Sequence, residues 1–304
     1  MGSEGWFEGL DYIMQKTIGI IGNGFVGNAV AKGFEKHANI RIYDIDSSKS
    51  TNTMEETIQS DYIFVCLPTP MVSAEGGECN LSIINKFFEQ FLKPSEVNGI
   101  FIIKSTVPVG TTERLKKIYP HLKIVHSPEF LTAANAEYDF VNADRHVVGG
   151  DRKEIHKVQN LYESCFPNTP VIPMKSKESE LVKYFANCFL ASKLMIFNEF
   201  KVLCEELNVF DKKSVNYETV MEGVVSDKRI GESHTKVPGP DGEYGFGGTC
   251  FPKDINSLID IMVKNGVNPI VLKSVWEQNK NYRKNWDWSD NKSAVLNEKE
   301  MYLR

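Results

Sequence analysis

One cysteine of this chain lies between a glycine-rich turn and a predicted helix. The stretch covers residues 245–254, reads GFGGTCFPKD and contains Cys250. Pro252 suits the first position of a helix, and Asp254 suits its first turn. A thiol at a helix N-terminus beside Lys253 should have a lowered pKa, which would make it a nucleophile at neutral pH. A small buried cysteine beside a turn is the alternative.

A lysine and an asparagine four residues apart lie in a long predicted helix. Lys183 and Asn187 share one face at this spacing. An ammonium and an amide placed in this way could polarise a substrate oxygen. A solvated lysine and a surface asparagine are the alternative.

Two loops that follow predicted strands add a hydroxyl and a carboxylate. Thr106 lies in the stretch KSTVP, and Glu129 lies in the stretch SPEFL. Open α/β sheets bind their ligands at the carboxyl ends of the strands, where both loops are expected. A glutamate among apolar neighbours should have a raised pKa and could act as a base. Local capping of the next helix is the alternative for both residues.

The stretch GNGFVG, residues 22–27, connects the first predicted strand to a helix. Its first glycine permits a tight turn, its second lets a pyrophosphate approach the backbone, and its third allows close packing of helix on strand. Free N–H groups at the helix start then face the phosphates. A strand–turn–helix corner without a ligand is the alternative. The predicted cofactor-binding residues of this stretch are Gly22, Gly24, Phe25, Val26 and Gly27.

Asp44 ends the second predicted strand, 20 residues beyond Gly24. A carboxylate at this point accepts hydrogen bonds from both ribose hydroxyls and repels a 2′-phosphate. The sequence therefore predicts NAD rather than NADP.

The elements that must position these residues alternate in the first half of the chain. Strands are predicted over 17–21, 40–43, 62–67, 100–103, 123–125 and 146–148, and helices over 25–35, 81–92 and 112–118. This alternation indicates an α/β fold with a Rossmann-type parallel sheet. Helices dominate afterwards, over 177–207, 213–222, 253–264 and 270–282. We predict an NAD-binding domain over 14–174, an all-helical dimerisation domain over 175–285 and a short polar tail over 286–304.

Composition excludes several classes of partner. The 304 residues carry a formal net charge of −5 and no basic run interleaved with aromatics, so nucleic acid is not expected. Six cysteines without paired spacing predict neither a disulfide framework nor a metal site, which fits a reducing compartment. No apolar run is long enough to span a membrane. Residues 1–13 lack the features of a secretory signal, so we expect a cytoplasmic protein.

Several of these stretches resemble the UDP-glucose/GDP-mannose 6-dehydrogenase family. The matching motifs cover residues 22–27, 67–70, 104–111, 127–131, 180–199 and 245–254. The resemblance implies a cytosolic enzyme that oxidises C6 of a nucleotide sugar from alcohol to acid with two molecules of NAD. UDP-glucose is expected because it is the commonest substrate of the family. No residue of the sequence excludes GDP-mannose or another UDP-sugar.

The resemblance also assigns catalytic roles. Cys250 would capture the aldehyde as a thiohemiacetal and would then carry a thioester, which water hydrolyses. The resemblance assigns oxyanion stabilisation to Lys183 and Asn187, the binding of a water to Asp254 and Thr106, and base catalysis of the hydrolysis to Glu129.

Further contacts follow from the same resemblance. The implied cofactor contacts are Asp44, Lys49, Thr69 and Lys253. The implied substrate contacts are Phe130, Leu131, Tyr138, Arg229, Phe246 and Gly247. A solvated arginine and a half-buried tyrosine are the alternatives for Arg229 and Tyr138. The family also pairs through the long helix, which predicts a homodimer.

The sequence departs from the family at two points. Ala133 occupies a position where the family usually has a cofactor-contacting glutamate. The family usually has a third domain after the helix predicted over 270–282, whereas this chain ends at Arg304, so we expect the nucleotide contacts of that domain to be missing.

Two rival interpretations remain open. β-Hydroxyacid dehydrogenases resemble this chain in their sheet, helical second domain and lysine–asparagine pair, but they lack the cysteine motif around Cys250. A truncated NAD-binding scaffold without turnover is the alternative outside the enzymes.

Overall fold

The computed structural model of the chain describes residues 16–92, 97–132, 134–210 and 214–296. The predictions for residues 1–13 and Ala133 lie outside the described residues. The chain divides into two compact units. The first comprises Met1–Thr69 and Leu81–Lys183, and the second comprises Pro70–Asn80 and Tyr184–Arg304.

The strands are short and mostly apolar. They are β1 (Thr17–Ile21), β2 (Asn39–Tyr43), β3 (Tyr62–Val65), β4 (Met71–Ser73), β5 (Gly76–Cys79), β6 (Ile100–Ile103), β7 (Lys123–His126), β8 (His146–Gly149) and β9 (Val171–Met174). Seven of these strands form a sheet in the first unit, in the order β2-β1-β3-β6-β7-β8-β9, and β4 pairs with β5 separately. The Rossmann-type fold is thereby confirmed.

The direction of the last two strands differs from the predicted parallel sheet. β1, β2, β3, β6 and β7 are parallel, whereas β8 is antiparallel to β7, and β9 is parallel to β8. The sheet is therefore mostly parallel. β9 was not predicted, and it lies where we placed the end of the first domain.

The helices are α1 (Phe25–Phe34), α2 (Met54–Ile58), α3 (Ser82–Glu89), α4 (Thr111–Ile118), α5 (Ala136–Val141), α6 (Arg152–Cys165), α7 (Ser176–Phe210), α8 (Tyr217–Val225), α9 (Cys250–Lys264) and α10 (Ile270–Tyr282). Helices cover both faces of the sheet because neighbouring strand residues point to opposite sides. Phe64 packs in one core with Phe34 and Tyr162, whereas Ile63 packs in the other with Phe88.

The second unit is helical apart from the β4–β5 hairpin. The hairpin packs against the segment around Trp288, which is fully buried and whose indole N–H donates to the carbonyl of Ala74 at 2.9 Å. Met71 also forms a bridge with Val295. The described part of the predicted tail is therefore packed structure. None of the helices in the described ranges is long and apolar enough to cross a membrane.

Candidate active site

The glycine loop after β1 has space for a ligand at its second glycine. Gly22 has φ +90°, and a Cβ there would lie 2.7 Å from the carbonyl oxygen of Cys66. A Cβ at Gly27 would lie 2.0 Å from the oxygen of Gly22, whereas nothing lies within 4 Å of one at Gly24. No side chain caps α1, which begins with Phe25 and Val26. The open N–H groups and the space at the second glycine fit a pyrophosphate.

The carboxylate predicted to bind ribose contacts this loop. Asp44 accepts hydrogen bonds from the backbone N–H groups of Asn23 at 2.6 Å and Asp46 at 2.9 Å. Its two oxygens keep further lone pairs for ribose hydroxyls. Lys49 is also near the loop, since its carbonyl accepts from the Asn23 amide at 2.9 Å. The residues present in the first unit therefore fit NAD.

Two predicted threonines meet in the first unit. The Thr69 hydroxyl donates to the backbone carbonyl of Thr106 at 2.7 Å, and both residues are buried. This bond joins the loop after β3 to the loop after β6, at the carboxyl ends of neighbouring strands.

Glu129 and Lys183 form a buried ion pair in the first unit. The Lys183 ammonium lies 2.8 Å from one carboxylate oxygen of Glu129, and the two side chains are 3% and 6% exposed. The other oxygen accepts from the N–H of Leu131 at 2.6 Å. Burial raises the pKa of Glu129, but the Lys183 charge, these hydrogen bonds and the Lys104 charge together hold it below its usual value. The predicted raised pKa was wrong, because the sequence does not show which cations contact the carboxylate.

A cavity of about 200 Å³ borders this ion pair. Phe130 lies on its wall, with the Arg145 guanidinium 4.3 Å from the ring centroid and the Lys183 ammonium 5.7 Å from it. Lys104, to which the sequence analysis assigned no role, also lines the cavity. Tyr138 is 70% exposed and does not line the cavity.

Cys250 is the first residue of α9, and Thr249 precedes it as the N-cap. Pro252 is consequently the third residue of the helix. The sequence analysis had predicted it at the first position, so that prediction was wrong. The thiol is half-buried, and its sulfur lies 3.7 Å from the Thr249 hydroxyl. The predicted lowering of the Cys250 pKa stays a prediction.

Asn187 and Lys253, two further predicted residues of the second unit, both bond the carboxylate of Asp254. The Asn187 amide donates to one oxygen of this buried carboxylate at 2.6 Å, and the Lys253 ammonium bonds the other. Burial lowers the pKa of Lys253, but electrostatic attraction to Asp254, Cys250 and Cys79 and the hydrogen bond to Asp254 outweigh burial and raise the pKa. Lys253 is therefore a charged ammonium close to the Cys250 thiol.

The glycine turn before Cys250 packs against α10. The side chain of Asn279 accepts from the N–H of Phe246 at 2.7 Å and donates to its carbonyl at 3.0 Å. A Cβ at Gly245 would lie 2.4 Å from the Asn279 oxygen, and one at Gly247 would lie 2.3 Å from the Arg283 guanidinium. These glycines are required by the packing of the turn. Sequence analysis missed Asn279, because nothing local connects it to the turn.

Two predicted substrate contacts, Tyr138 and Arg229, join none of these clusters. The Arg229 side chain is 90% exposed and pairs with its neighbour Asp227 at 2.5 Å. Lys183 and Asn187 lie one turn apart on α7, and each belongs to a different cluster.

Two domain families match the sequence. The UDP-glucose/GDP-mannose dehydrogenase family, NAD binding domain, matches residues 48–166, and the central domain of the same family matches residues 177–281. The chain belongs to this family. The first match begins after the glycine loop and Asp44, so the evidence for those features is the geometry described above.

Relatives and solved structures agree with this family. UDP-glucose 6-dehydrogenase YwqF of Bacillus subtilis is 33% identical over 73% of this chain and 49% of its own length. The structure of a UDP-glucose dehydrogenase from Pyrobaculum islandicum is 27% identical, with a TM-score of 0.76 over 88% of this chain and 69% of that one. The chain spans about half the length of several curated relatives that it matches.

A structure from outside this family has a similar fold. Mycobacterium tuberculosis 3-hydroxyisobutyrate dehydrogenase aligns with 96% of this chain and 100% of its own, with a TM-score of 0.69. Because the identity is 16%, this likeness shows the fold alone. The two family matches decide between the family and the β-hydroxyacid dehydrogenases that we considered as rivals.

Proposed function

We propose that this chain is an NAD-dependent dehydrogenase that oxidises C6 of a nucleotide sugar, UDP-glucose, from alcohol to acid. The observation that carries the proposal is the half-buried Cys250 thiol at the start of α9, next to the Lys253 ammonium. Relatives named UDP-glucose 6-dehydrogenase support the substrate. GDP-mannose and other UDP-sugars are the alternative substrates.

The first unit would hold the cofactor. When bound, NAD accepts one hydride from the substrate carbon in each of the two oxidations. The loop with Gly22, Gly24 and Gly27 would receive the pyrophosphate, and Asp44 would bind the adenosine ribose. Lys49 and Thr69 of the first unit and Lys253 of the second unit are further proposed contacts.

The chemistry at Cys250 follows from the need for two oxidations at one carbon. In the first oxidation the alcohol carbon loses a hydride, and its hydroxyl loses a proton. The thiol then adds to the aldehyde, so that a C–S bond forms and the thiol proton passes to the oxygen. The thiohemiacetal loses a second hydride and its hydroxyl proton to give a thioester. Water cleaves the C–S bond and releases the acid and the free thiol.

Other residues would serve individual steps. The Lys183 ammonium and the Asn187 amide are donors for the oxygen that becomes negative in these steps. Glu129, ionised at neutral pH because its pKa is lowered, would accept a proton from the hydrolytic water. Asp254 and Thr106 would hold this water. The proposed substrate contacts are Phe130, Leu131, Tyr138, Arg229, Phe246 and Gly247.

We further propose that the chain forms a homodimer through α7. Apolar side chains on one stripe of this helix are exposed, and Phe189 is 69% exposed. Their spacing of three, four or seven residues keeps them on one face. A contiguous exposed apolar face of this kind typically marks an interface. The stripe consists of Phe185, Phe189, Ile196, Phe200, Leu203 and Leu207.

A cytoplasmic location completes the proposal. All six cysteines, the reactive Cys250 among them, are free. A free thiol nucleophile is maintained most readily in a reducing compartment.

The test is the stoichiometry of NADH formed per sugar consumed, measured by absorbance with UDP-glucose, GDP-mannose and other UDP-sugars. Two NADH per sugar supports the proposal and identifies the substrate. One NADH per sugar would mean an alcohol–aldehyde enzyme that does not use Cys250. NAD binding without turnover on any sugar would favour the scaffold interpretation.

The pair Cys250→Ser and Cys204→Ala tests the covalent step, since Cys204 packs in a separate core cluster of the same unit. We expect Cys250→Ser to abolish acid formation and to keep NAD affinity, and Cys204→Ala to keep both. Acid formation by Cys250→Ser at the parent rate would disprove the thioester.

A further inference from the structure

A buried lysine holds the backbone immediately before Glu129. Lys104 follows β6 and is 2% exposed. Its ammonium donates to the carbonyl of Pro128 at 2.9 Å. Pro128 has no N–H, so this carbonyl is the only backbone hydrogen-bonding group of the residue before the glutamate. The Lys104 ammonium is therefore bonded to the backbone directly before Glu129.

Lys104 also contributes charge to the same cluster. Glu129 bonds Lys183 directly at 2.8 Å, and Lys104 lies close enough for its charge to act on the carboxylate. A buried carboxylate next to two ammonium groups is strongly favoured in its ionised form. An isolated buried ammonium is costly, and the Pro128 carbonyl and the carboxylate compensate this cost for Lys104.

We propose that Lys104 is a positioning residue, which places the Glu129 carboxylate through the Pro128 carbonyl and keeps it ionised. The proposal rests on the proposed function only for the step that Glu129 serves, the hydrolysis of the thioester. The effect of the Lys104 charge on the Glu129 carboxylate can be measured without turnover.

The surroundings of the pair single out the group that changes charge in mildly basic solution. Burial lowers the pKa of Lys104 to about 8. Burial also raises the pKa of Cys66 to about 12 and lowers those of His126 and His146 to about 3. These three neighbours therefore stay neutral in mildly basic solution. The other charged groups that line the adjoining cavity belong to Asp139, Asp144 and Arg145. Lys183 also contacts Glu129 directly, so the experiment must separate its effect on the carboxylate from that of Lys104.

The first experiment is a carboxyl NMR titration of the full chain labelled with ¹³C at the glutamate side-chain carboxyl, with the Glu129 resonance assigned by Glu129→Gln. We expect this resonance to show a second inflection near pH 8, where Lys104 loses its proton. Lys104→Arg should remove the inflection, because a guanidinium stays charged in this range. An inflection that persists in Lys104→Arg, or no inflection in the parent, would overturn the proposal.

The second experiment separates position from charge. Lys104→Met removes the donor and the charge, Lys104→Gln keeps a donor without charge, and Lys36→Met is a control at an exposed lysine of the same unit. We expect Lys104→Met to move the acid limb of the pH–rate profile to higher pH. It should also slow acid release about 10- to 100-fold, as the loss of a charge-assisted hydrogen bond does. Lys104→Gln should recover part of the rate, and NAD affinity should be unchanged in every variant.

The outcomes distinguish this proposal from the proposed function. If the parent chain does not release acid but shows the inflection that Lys104→Arg removes, the coupling stands and the proposed function fails. If acid is released and Lys104→Met keeps the parent pH–rate profile, Lys104 has no positioning role. The titrations of the parent and of Lys104→Arg decide the question even if Lys104→Met does not fold.

Discussion

The side chain of Asn279 pairs with the backbone of Phe246 through both of its polar atoms, accepting at 2.7 Å and donating at 3.0 Å. Asn279 is fully buried on α10, 33 residues along the chain from its partner. The pairing fixes the turn that leads to Cys250. A single amide thus links the stability of the second unit to the position of the proposed nucleophile.

Replacing this amide should be costly. Asn279→Ala leaves a buried N–H and a buried carbonyl without partners, so we expect the free energy of unfolding to fall by about 2 to 4 kcal/mol. Urea unfolding, monitored by circular dichroism, measures this change in the free energy of unfolding. Asn281→Ala on the same helix is the control, since Asn281 is exposed and should change stability by less than about 0.5 kcal/mol. Equal losses in the two variants would show that the pairing with Phe246 is not stabilising.

The cofactor contact of Asp44 is tested by Asp44→Ala. The loss of hydrogen bonds to a charged acceptor should raise the Kd for NAD about 10- to 100-fold. Because the repulsion of a 2′-phosphate is also lost, the preference for NAD over NADP should fall. Fluorescence titration with both cofactors measures these changes, with the exposed Glu55→Ala as a control. An unchanged Kd would remove Asp44 from the cofactor site.

Acid should destabilise the first unit through His146. Its ring stacks on Tyr162, and its Nε2 has no hydrogen-bond partner among the described residues. Burial holds the pKa of His146 at about 3, below the ordinary 6.5, so the neutral ring contributes stability above pH 6.5 that is lost as the pH falls toward 3. At pH 5 this loss is about 2 kcal/mol.

His146→Phe keeps the ring stacking and removes the titration, so it should lose less stability than the parent chain between pH 7 and pH 5. Urea unfolding at the two pH values tests this expectation. His156→Phe, at an exposed position of α6, is the control and should follow the parent. Equal acid losses in His146→Phe and the parent would contradict the argument.

The dimer proposal is tested on the stripe of α7. Phe189→Lys places a charge in the middle of the proposed interface, so we expect a monomeric mass by light scattering at micromolar concentration. Val271→Lys, at an exposed apolar position of α10 outside the stripe, should keep the mass of the parent. A parent chain that is itself monomeric would refute the pairing.

Sequence reasoning worked where the signal was local. The apolar runs of β3 and β6 predicted buried strands, and both are buried at every position. α6 had a local signal that we did not use, since its buried residues Ile155, Val158 and Leu161 recur at helical spacing. β9 was harder to predict, because Pro173 interrupts a short run, and such a strand is tolerated at the sheet edge that it occupies.

The remainder depended on contacts between distant parts of the chain. Sequence spacing suggested Lys183 and Asn187 as a pair, but their partners, Glu129 and Asp254, lie 54 and 67 residues away. A helical period cannot specify such partners. The same limit hid Lys104, whose bond to Pro128 exists only because β6 and β7 are neighbours in the sheet.

The β4–β5 hairpin has a practical consequence for dissecting the protein. Because residues 70–80 belong to the second unit, the polypeptide passes between the units three times, at 69/70, 80/81 and 183/184. No single cut can separate the units into two self-sufficient fragments. A fragment that starts at Tyr184 would leave the indole N–H groups of Trp276 and Trp288 without the carbonyls of Glu75 and Ala74. Complementation between fragments, or a circular permutant that restores the hairpin, is the appropriate route to a folded second unit.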